Sequence, residues 1–181
     1  MLEDKLLILR FKYGSLDALS RIYQKYKRYL LKIATALLHD VTAAEDVVHD
    51  VFMRFAQSGQ SLKLNGSLKA YLRTCLINDI RNKLRSDQVR SCVELSQVGD
   101  IASDQKACDQ WIILTERSER INNALAAVPF EQREVVVMHL HADMKFGQIA
   151  RLQNVPAKTV QSRYRYGLDK LRSILISEVE L

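Results

Sequence analysis

Apolar residues recur every three or four positions along most of the chain, the spacing of helices that bury one face. Ile22, Tyr26, Leu30, Ile33 and Leu37 follow at intervals of 4, 4, 3 and 4 and predict one long amphipathic helix. Val47, Val48, Val51, Phe52 and Phe55 predict a second. Thr42 and Glu45 form a capping-box pattern that would open it, hydroxyl and carboxylate each satisfying a free backbone N–H. The polar stretch from Gln57 to Ser67, with Gly59 and Gly66, reads as a loop before a third helix from about Ser67 to Arg85. Between residues 88 and 110 the periodicity fades into a polar, acidic segment. Helical spacing resumes near Trp111, with Pro129 marking a helix start and Val135, Val136, Met138 and Leu140 a buried run. The expected fold is all-α: a helical domain over 1–87, a flexible linker over 88–110, and a second helical domain over 111–181.

The stretch from Phe146 to Arg172 says most about function. Ile149, Ala150 and Leu152 define a short helix, and Asn154-Val155-Pro156 breaks it, because proline disfavours helix in the residue before it yet suits a helix start. Val160, Tyr164, Gly167, Leu168, Leu171 and Leu175 then make one stripe of a second helix. Lys158, Ser162, Arg165 and Arg172 stand opposite, flanked by Gln161, Arg163 and Tyr166. This is a helix-turn-helix pattern whose second helix packs on one face and offers phosphate- and base-binding groups on the other. A helical hairpin with a solvated charged face is the alternative.

Charge supports the first reading. The net charge is +6, but its distribution matters more. Residues 1–90 hold 16 Lys/Arg against 9 Asp/Glu, residues 91–120 hold 3 against 6, and residues 121–181 hold 8 against 6. Two basic ends around an acidic stretch suggest two modules that each meet a polyanion. Cys75, Cys92 and Cys108 are an odd number without a close pair, which argues against a disulfide framework and for a reducing compartment. His139 and His141, two apart, point to different sides of a helix and do not form a metal grip. No stretch approaches the roughly eighteen apolar residues of a membrane helix, and the acidic start is unlike a signal peptide. A cytoplasmic protein is expected.

Two further surfaces stand out. Tyr71, Thr74, Asn78, Arg81 and Arg85 follow at 3, 4, 3 and 4, an aligned ring, amide and guanidinium set able to stack on a base, read its edge and hold its backbone. The alternative is an amphipathic helix whose polar side happens to be basic. Asp46, His49, Asp50 and Met53 project away from the valine and phenylalanine face of the preceding helix. Acids inside a basic domain repel nucleic acid locally and suit a protein partner, or they serve only as solubilising groups. No serine elbow, glycine-rich phosphate loop or isolated carboxylate pair is present, so no enzymatic activity and no cofactor are expected.

Together these segments resemble bacterial RNA polymerase sigma factors of the extracytoplasmic-function (ECF) group. AEDVVHDVFMRF (residues 44–55) is similar to the family's helix that binds the clamp helices of the polymerase's largest subunit. LKAYLRTCLINDIRNKLR (residues 68–85) is similar to the segment that melts and reads the −10 promoter element. Residues 125–172 resemble the −35-reading domain. The resemblance implies a promoter-specificity subunit whose partners are core RNA polymerase (clamp helices and flap), promoter DNA and an anti-sigma factor. It assigns polymerase contact to Asp46, His49, Asp50 and Met53, with Phe52 supporting them from the core. For −10 DNA it assigns Ser61, Asn65, Ser67, Tyr71, Thr74, Asn78, Arg81 and Arg85, the Ser61–Ser67 loop capturing a flipped base. For −35 DNA it assigns Lys158, Thr159, Gln161, Ser162, Arg163, Arg165 and Tyr166. The acidic linker would thread the polymerase's RNA exit path.

The sequence also departs from the family. His49-Asp50 stands where Gln-Glu is common, Tyr71 where Trp is usual, and Tyr166-Gly167 where Arg-Ala is frequent. Two other functions stay open at this point. A dimeric regulator binding duplex DNA by itself would use Lys158–Arg172 but leave the acidic row and the Tyr71–Arg85 stripe without a purpose. A helical adaptor would bind neither polymerase nor DNA.

Overall fold

The computed structural model describes residues 2–62, 64, 66–93 and 116–177. Trp111, Asn65 and the 94–110 part of the expected linker lie outside them. Eight α-helices and one 3-10 turn make up the described residues, and no strand occurs among them.

The first lobe is built on α2 (Leu16–Leu38), against which α1 (Leu2–Lys12), α3 (Val41–Ser58) and α4 (Leu68–Val93) pack. Its stripe behaves as the spacing predicts: Ile22, Tyr26, Leu30, Ile33 and Leu37 are all buried. Burying a side chain of this size contributes roughly 1.5–3 kcal/mol, and here the gain falls on one helix that touches the other three of its lobe. Val47, Val48, Val51, Phe52 and Phe55 of α3 are buried as well. Phe55 stacks on Phe11 of α1 at 4.7 Å between ring centroids, and Phe52 meets Tyr23 of α2 edge-on at 4.7 Å. The ends of the helices are set by local chemistry. Ser15 caps α2, accepting from the Ala18 N–H, and His39 closes it in the left-handed conformation with φ 56°. The start of α3 corrects the expectation. Its cap is Asp40, whose carboxylate accepts from the Ala43 N–H at 3.0 Å, while Thr42 and Glu45 lie within the helix and are exposed. An aspartate two residues upstream is an equally good cap in extended geometry, and it wins the first turn. The helix α4 also runs to Val93, well beyond Arg85.

The second lobe comprises α5 (Glu116–Ala126), α6 (Phe130–Leu140), α7 (Phe146–Gln153) and α8 (Ala157–Ser177). Pro129 precedes α6 with extended backbone, as its sequence position suggested. The buried run is Glu134 to Met138, not the expected set: Leu140 is 52% exposed, and the carboxylate-bearing Glu134 is 2% exposed. The reason is that α6 is covered on two sides, by α8 and by the first lobe, so its central residues disappear while its last turn emerges. Asn154, in the left-handed conformation at φ 55°, ends α7, and the turn through Pro156 starts α8. Val160, Gly167 and Leu171 are buried against α6 and α7, with Tyr164, Leu168 and Leu175 half-buried beside them. No helix among the described residues is long and apolar enough to cross a membrane.

The two lobes touch. The helix α2 packs against both α5 and α6.

Candidate functional site

Three surfaces carry the residues singled out from the sequence. On α3, Asp46, His49, Asp50 and Met53 lie side by side at intervals of three and one, all exposed, with Met53 47% exposed. The heptad geometry explains this: the same helix spends its apolar side on Val47, Val48, Val51 and Phe55, which leaves these four pointing outward. Phe52, 5% exposed, pins the helix from below. A row of two carboxylates, an imidazole and an uncovered methionine can meet a basic helix with an apolar centre.

On α4 the predicted stripe is partly divided. Asn78 and Arg85 are exposed, and Tyr71 is half-buried with its ring tilted 6.3 Å from Phe55. Burial raises the Tyr71 phenol above its ordinary value, so it acts as a neutral ring and donor. The Thr74 hydroxyl is turned back to donate to the Ala70 carbonyl at 2.8 Å, and the Ser67 hydroxyl accepts from the Ala70 N–H at 3.2 Å. Ser67 therefore starts the helix. Ser61 is exposed but donates to the Ser58 carbonyl at 2.6 Å. An ion pair between Arg54 of α3 and Asp79 of α4 ties the acidic row to the stripe.

Arg81 leaves the stripe. Its Nη1 donates to the Leu152 carbonyl in the second lobe at 2.8 Å, and its Nε lies 3.1 Å from Glu134 Oε1. Eight residues back along α4, Arg73 is 7% exposed and donates to the Ala142 carbonyl at 2.5 Å. That same carbonyl accepts from the Tyr29 hydroxyl at 3.3 Å. Lys69 pairs with Asp143 at 2.9 Å. Sequence reasoning missed Arg73, Lys69, Tyr29 and Glu134. A faint signal existed, since Arg73 stands in line with Ile77 and Ile80, and Glu134 stands among valines.

On α8, Lys158, Gln161, Ser162, Arg165 and Tyr166 are exposed together, and Thr159 is half-buried. The Arg165 guanidinium lies 5.0 Å from the Tyr166 ring centroid, and Tyr166 is 53% exposed. This pair gives the helix a stacked cation and ring at its outer face. Arg163 does not share that freedom. Its Nη1 donates to Gln153 Oε1 at 3.1 Å and its Nη2 to Glu131 Oε2 at 2.5 Å. The base of the helix-turn-helix is fixed by aromatic packing: His139 stacks on Phe146 at 4.5 Å and meets Tyr164 edge-on at 4.9 Å, while its Nδ1 sits 2.8 Å from the Met144 carbonyl. His139 and His141 do not converge on a metal, and no cluster of potential metal ligands occurs among the described residues. Cys75 is a half-buried free thiol on α4.

An exposed basic helix after the turn in one lobe, and an exposed amide and guanidinium beside a half-buried ring in the other, define the class: a two-lobed, all-helical protein carrying a helix-turn-helix. Comparison with known proteins narrows this. Residues 22–90 match the family described as Sigma-70 region 2, and residues 118–171 match Sigma-70, region 4. The chain is 24% identical over 176 residues to the ECF RNA polymerase sigma factor SigW of Bacillus subtilis, covering 93% of this chain and 94% of that one. It is 20% identical to the RNA polymerase sigma-H factor of Pseudomonas aeruginosa, with 97% of each chain covered. In fold it is similar to CnrH, solved in complex with the cytosolic domain of CnrY (TM-score 0.64, 17% identity, 97% of this chain and 98% of that one). It is likewise similar to the sigma factor RpoE of Bartonella quintana, solved with the anti-sigma factor NepR (TM-score 0.63, 21% identity, 86% and 96% covered). The chain belongs to the sigma-70 family of RNA polymerase sigma factors, in its ECF group.

Proposed function

We propose that this chain directs core RNA polymerase to a defined set of promoters, reading the −35 element with α8 and opening the −10 element with α4. The observation that carries the reading is the co-occurrence, in one chain and in order, of matches to both sigma regions. As a sigma factor it is a non-catalytic subunit that binds core polymerase and promoter DNA.

The finer assignments follow from the surfaces. Asp46, His49, Asp50 and Met53 bind the clamp helices of the largest subunit, and the second lobe binds the flap. Asn78, with Tyr71 and Arg85 on either side, contacts the non-template strand as it separates. Extruding a base costs a few kcal/mol, which stacking at about 1–3 kcal/mol per base and edge contacts can offset. At −35, Lys158, Gln161, Ser162 and Arg165 meet phosphates and base edges. Arg163 orients the recognition helix through Glu131 and Gln153, a supporting part in place of the direct contact expected from the sequence. One structural neighbour was solved with the cytosolic domain of CnrY and another with the anti-sigma factor NepR, which supports an anti-sigma partner for this chain as well.

The test is run-off transcription with purified protein and core polymerase on fragments of the native genome. Defined start sites that require the added chain are expected. Tight, sequence-specific binding by a free dimer with no change in polymerase start sites would favour the stand-alone regulator and overturn the assignment.

A further inference from the structure

We propose that the outer face of α1 is a docking surface for an acidic amphipathic helix of a partner protein. The helix is apolar on two opposite sides. One side is used inside the lobe: Leu7 and Phe11 are buried, and the Phe11 ring stacks on Phe55. The other side carries Leu6 and Leu9, both exposed. Helical spacing continues past the last residue of α1, because the Tyr13 N–H donates to the Leu9 carbonyl at 3.2 Å. Tyr13, 82% exposed, therefore stands one turn beyond Leu9 on the same face. Gly14, at φ 86°, closes the helix: its N–H donates to the Phe11 carbonyl at 2.9 Å, and that of Ser15 to the Arg10 carbonyl at 3.1 Å. This pair of bonds fixes the turn, and Leu16, 80% exposed, follows as the first residue of α2. A helix that is apolar on opposite sides needs cover on both, and a contiguous exposed apolar patch with a polar rim marks an interaction site.

Charge decides the kind of partner. By helical spacing, Lys5 and Lys12 flank the stripe on one side and Arg10 flanks it on the other. No carboxylate among the described residues pairs with any of these three cations. The two acids of α1 are already held: Lys25 Nζ lies 2.6 Å from Glu3 and 2.8 Å from Asp4, and Arg21 lies 3.8 Å from Glu3. Unpaired cations on both sides of an apolar seam are the arrangement that selects a helical partner with acids at its own flanks. A second copy of the chain would set cations against cations. An anionic membrane would meet exposed Glu3 and Asp17 in the same plane as the leucines, whereas a helix places its acids opposite Lys5, Arg10 and Lys12 alone. None of the side chains assigned to polymerase or DNA lies on α1, so this face serves a partner of its own.

The site is independent of the promoter reading, and its test uses no polymerase. The probe is a fluorescein-labelled synthetic helix of three heptads, with leucine at the a and d positions and glutamate at e and g. Its like charges oppose self-pairing. A twin with lysine at e and g is the control, and fluorescence anisotropy with the purified full chain reads binding. The acidic probe should bind the parent, and the lysine twin should not. Leu9→Gln, a change at an exposed site that should leave the melting temperature in place, should weaken the acidic probe about tenfold, the scale of losing one anchor. Lys5→Glu combined with Arg10→Glu should exchange the preference, so that the lysine twin binds and the acidic probe does not. Arg165→Ala should behave as the parent, because attraction to the basic face of α8 would be weakened there. Failure of the acidic probe to bind, equal binding by Leu9→Gln, or loss of binding in Arg165→Ala would overturn the assignment. Dimerisation of the free chain in sedimentation, abolished by Leu9→Gln, would replace the partner with a second copy. Leu9-dependent binding to vesicles of phosphatidylglycerol and phosphatidylcholine, without binding of the acidic probe, would replace it with a membrane surface.

Discussion

Gly167 sits where α8 crosses α6, and the crossing is too tight for any side chain. A Cβ at this position would lie 2.8 Å from Val136 Cγ2, 3.3 Å from the Gln132 carbonyl oxygen and 3.4 Å from Gln132 Cβ. Carbon atoms rest at about 3.5–4.0 Å, so the first contact must yield by most of an ångström. Val136 cannot yield easily: it is buried, and a β-branched side chain in a helix has essentially one rotamer. The backbone carbonyl beside it blocks a slide along the helix. Alanine gains up to about 1 kcal/mol over glycine in a helix interior, whereas overpacking a well-filled core costs about 1–3 kcal/mol. Gly167→Ala should therefore lose about 1–2 kcal/mol. At about 4–8 °C per kcal/mol for a unit of this size, thermal unfolding of the second lobe should move down by roughly 5–10 °C. The source of the loss is checked with Val136→Ala, which removes the offending methyl. The double variant should be distinctly more stable than the sum of the two single losses. A melting temperature at or above that of the parent for Gly167→Ala, or strictly additive losses, would refute the argument. The same geometry explains why glycine stands at this crossing: Val136 occupies the space a side chain would need.

Asp50→Lys, on an exposed site, should leave the melting temperature within the effect of a surface change, about 0.5 kcal/mol, while abolishing run-off transcription; full initiation would discredit the clamp assignment. Asn78→Ala should likewise preserve stability but block strand opening, read by permanganate footprinting of unpaired thymines with closed-complex binding intact. Lys158→Ala should flatten the log–log salt dependence of −35 binding by about one, equally for all sequences; an unchanged slope removes it from the phosphate contacts. His39 supplies the pH dependence. Burial, then the nearby Arg133 guanidinium, lower its imidazole to about 4. Its folded value lies below the unfolded one of about 6.5, so the unfolded chain binds more protons between them, and stability held above pH 6.5 is lost as pH falls towards 4. Discounted for its half exposure, the loss is about 1 kcal/mol. His39→Asn keeps the left-handed helix end and should make the urea midpoint less sensitive between pH 7 and 5; identical pH profiles would exclude His39 as a source.

The helices were legible because one property, apolar spacing, decides them. The stripe from Ile22 to Leu37 has only one face to bury, and it buries it. The exposed rows on α3 and α8 followed by subtraction, since what a helix does not bury it presents. The cap of α3 was misread because Asp40 and Thr42 are both good caps, and only backbone conformation chooses between two candidates separated by one residue. Leu140 was misread for a related reason: the spacing continues past the point where covering elements end, and periodicity carries no information about what lies opposite.

The lobe contact failed differently. Arg73 and Glu134 each break an apolar run with a charge, and a buried charge without a partner is untenable, so each announces a partner that the local sequence does not contain. Arg73 finds the Ala142 carbonyl, sixty-nine residues away, and Glu134 finds Arg81 from the opposite direction. Each anomaly answers to an element of the other lobe. Periodicity describes one helix at a time, whereas this pairing is a property of two faces that meet only after both lobes exist. A charge embedded in a hydrophobic stripe is therefore the trace that a docking seam leaves in the sequence. In this chain one such charge, Arg73, falls on α4, the helix proposed to meet the −10 element, and the other, Glu134, on α6.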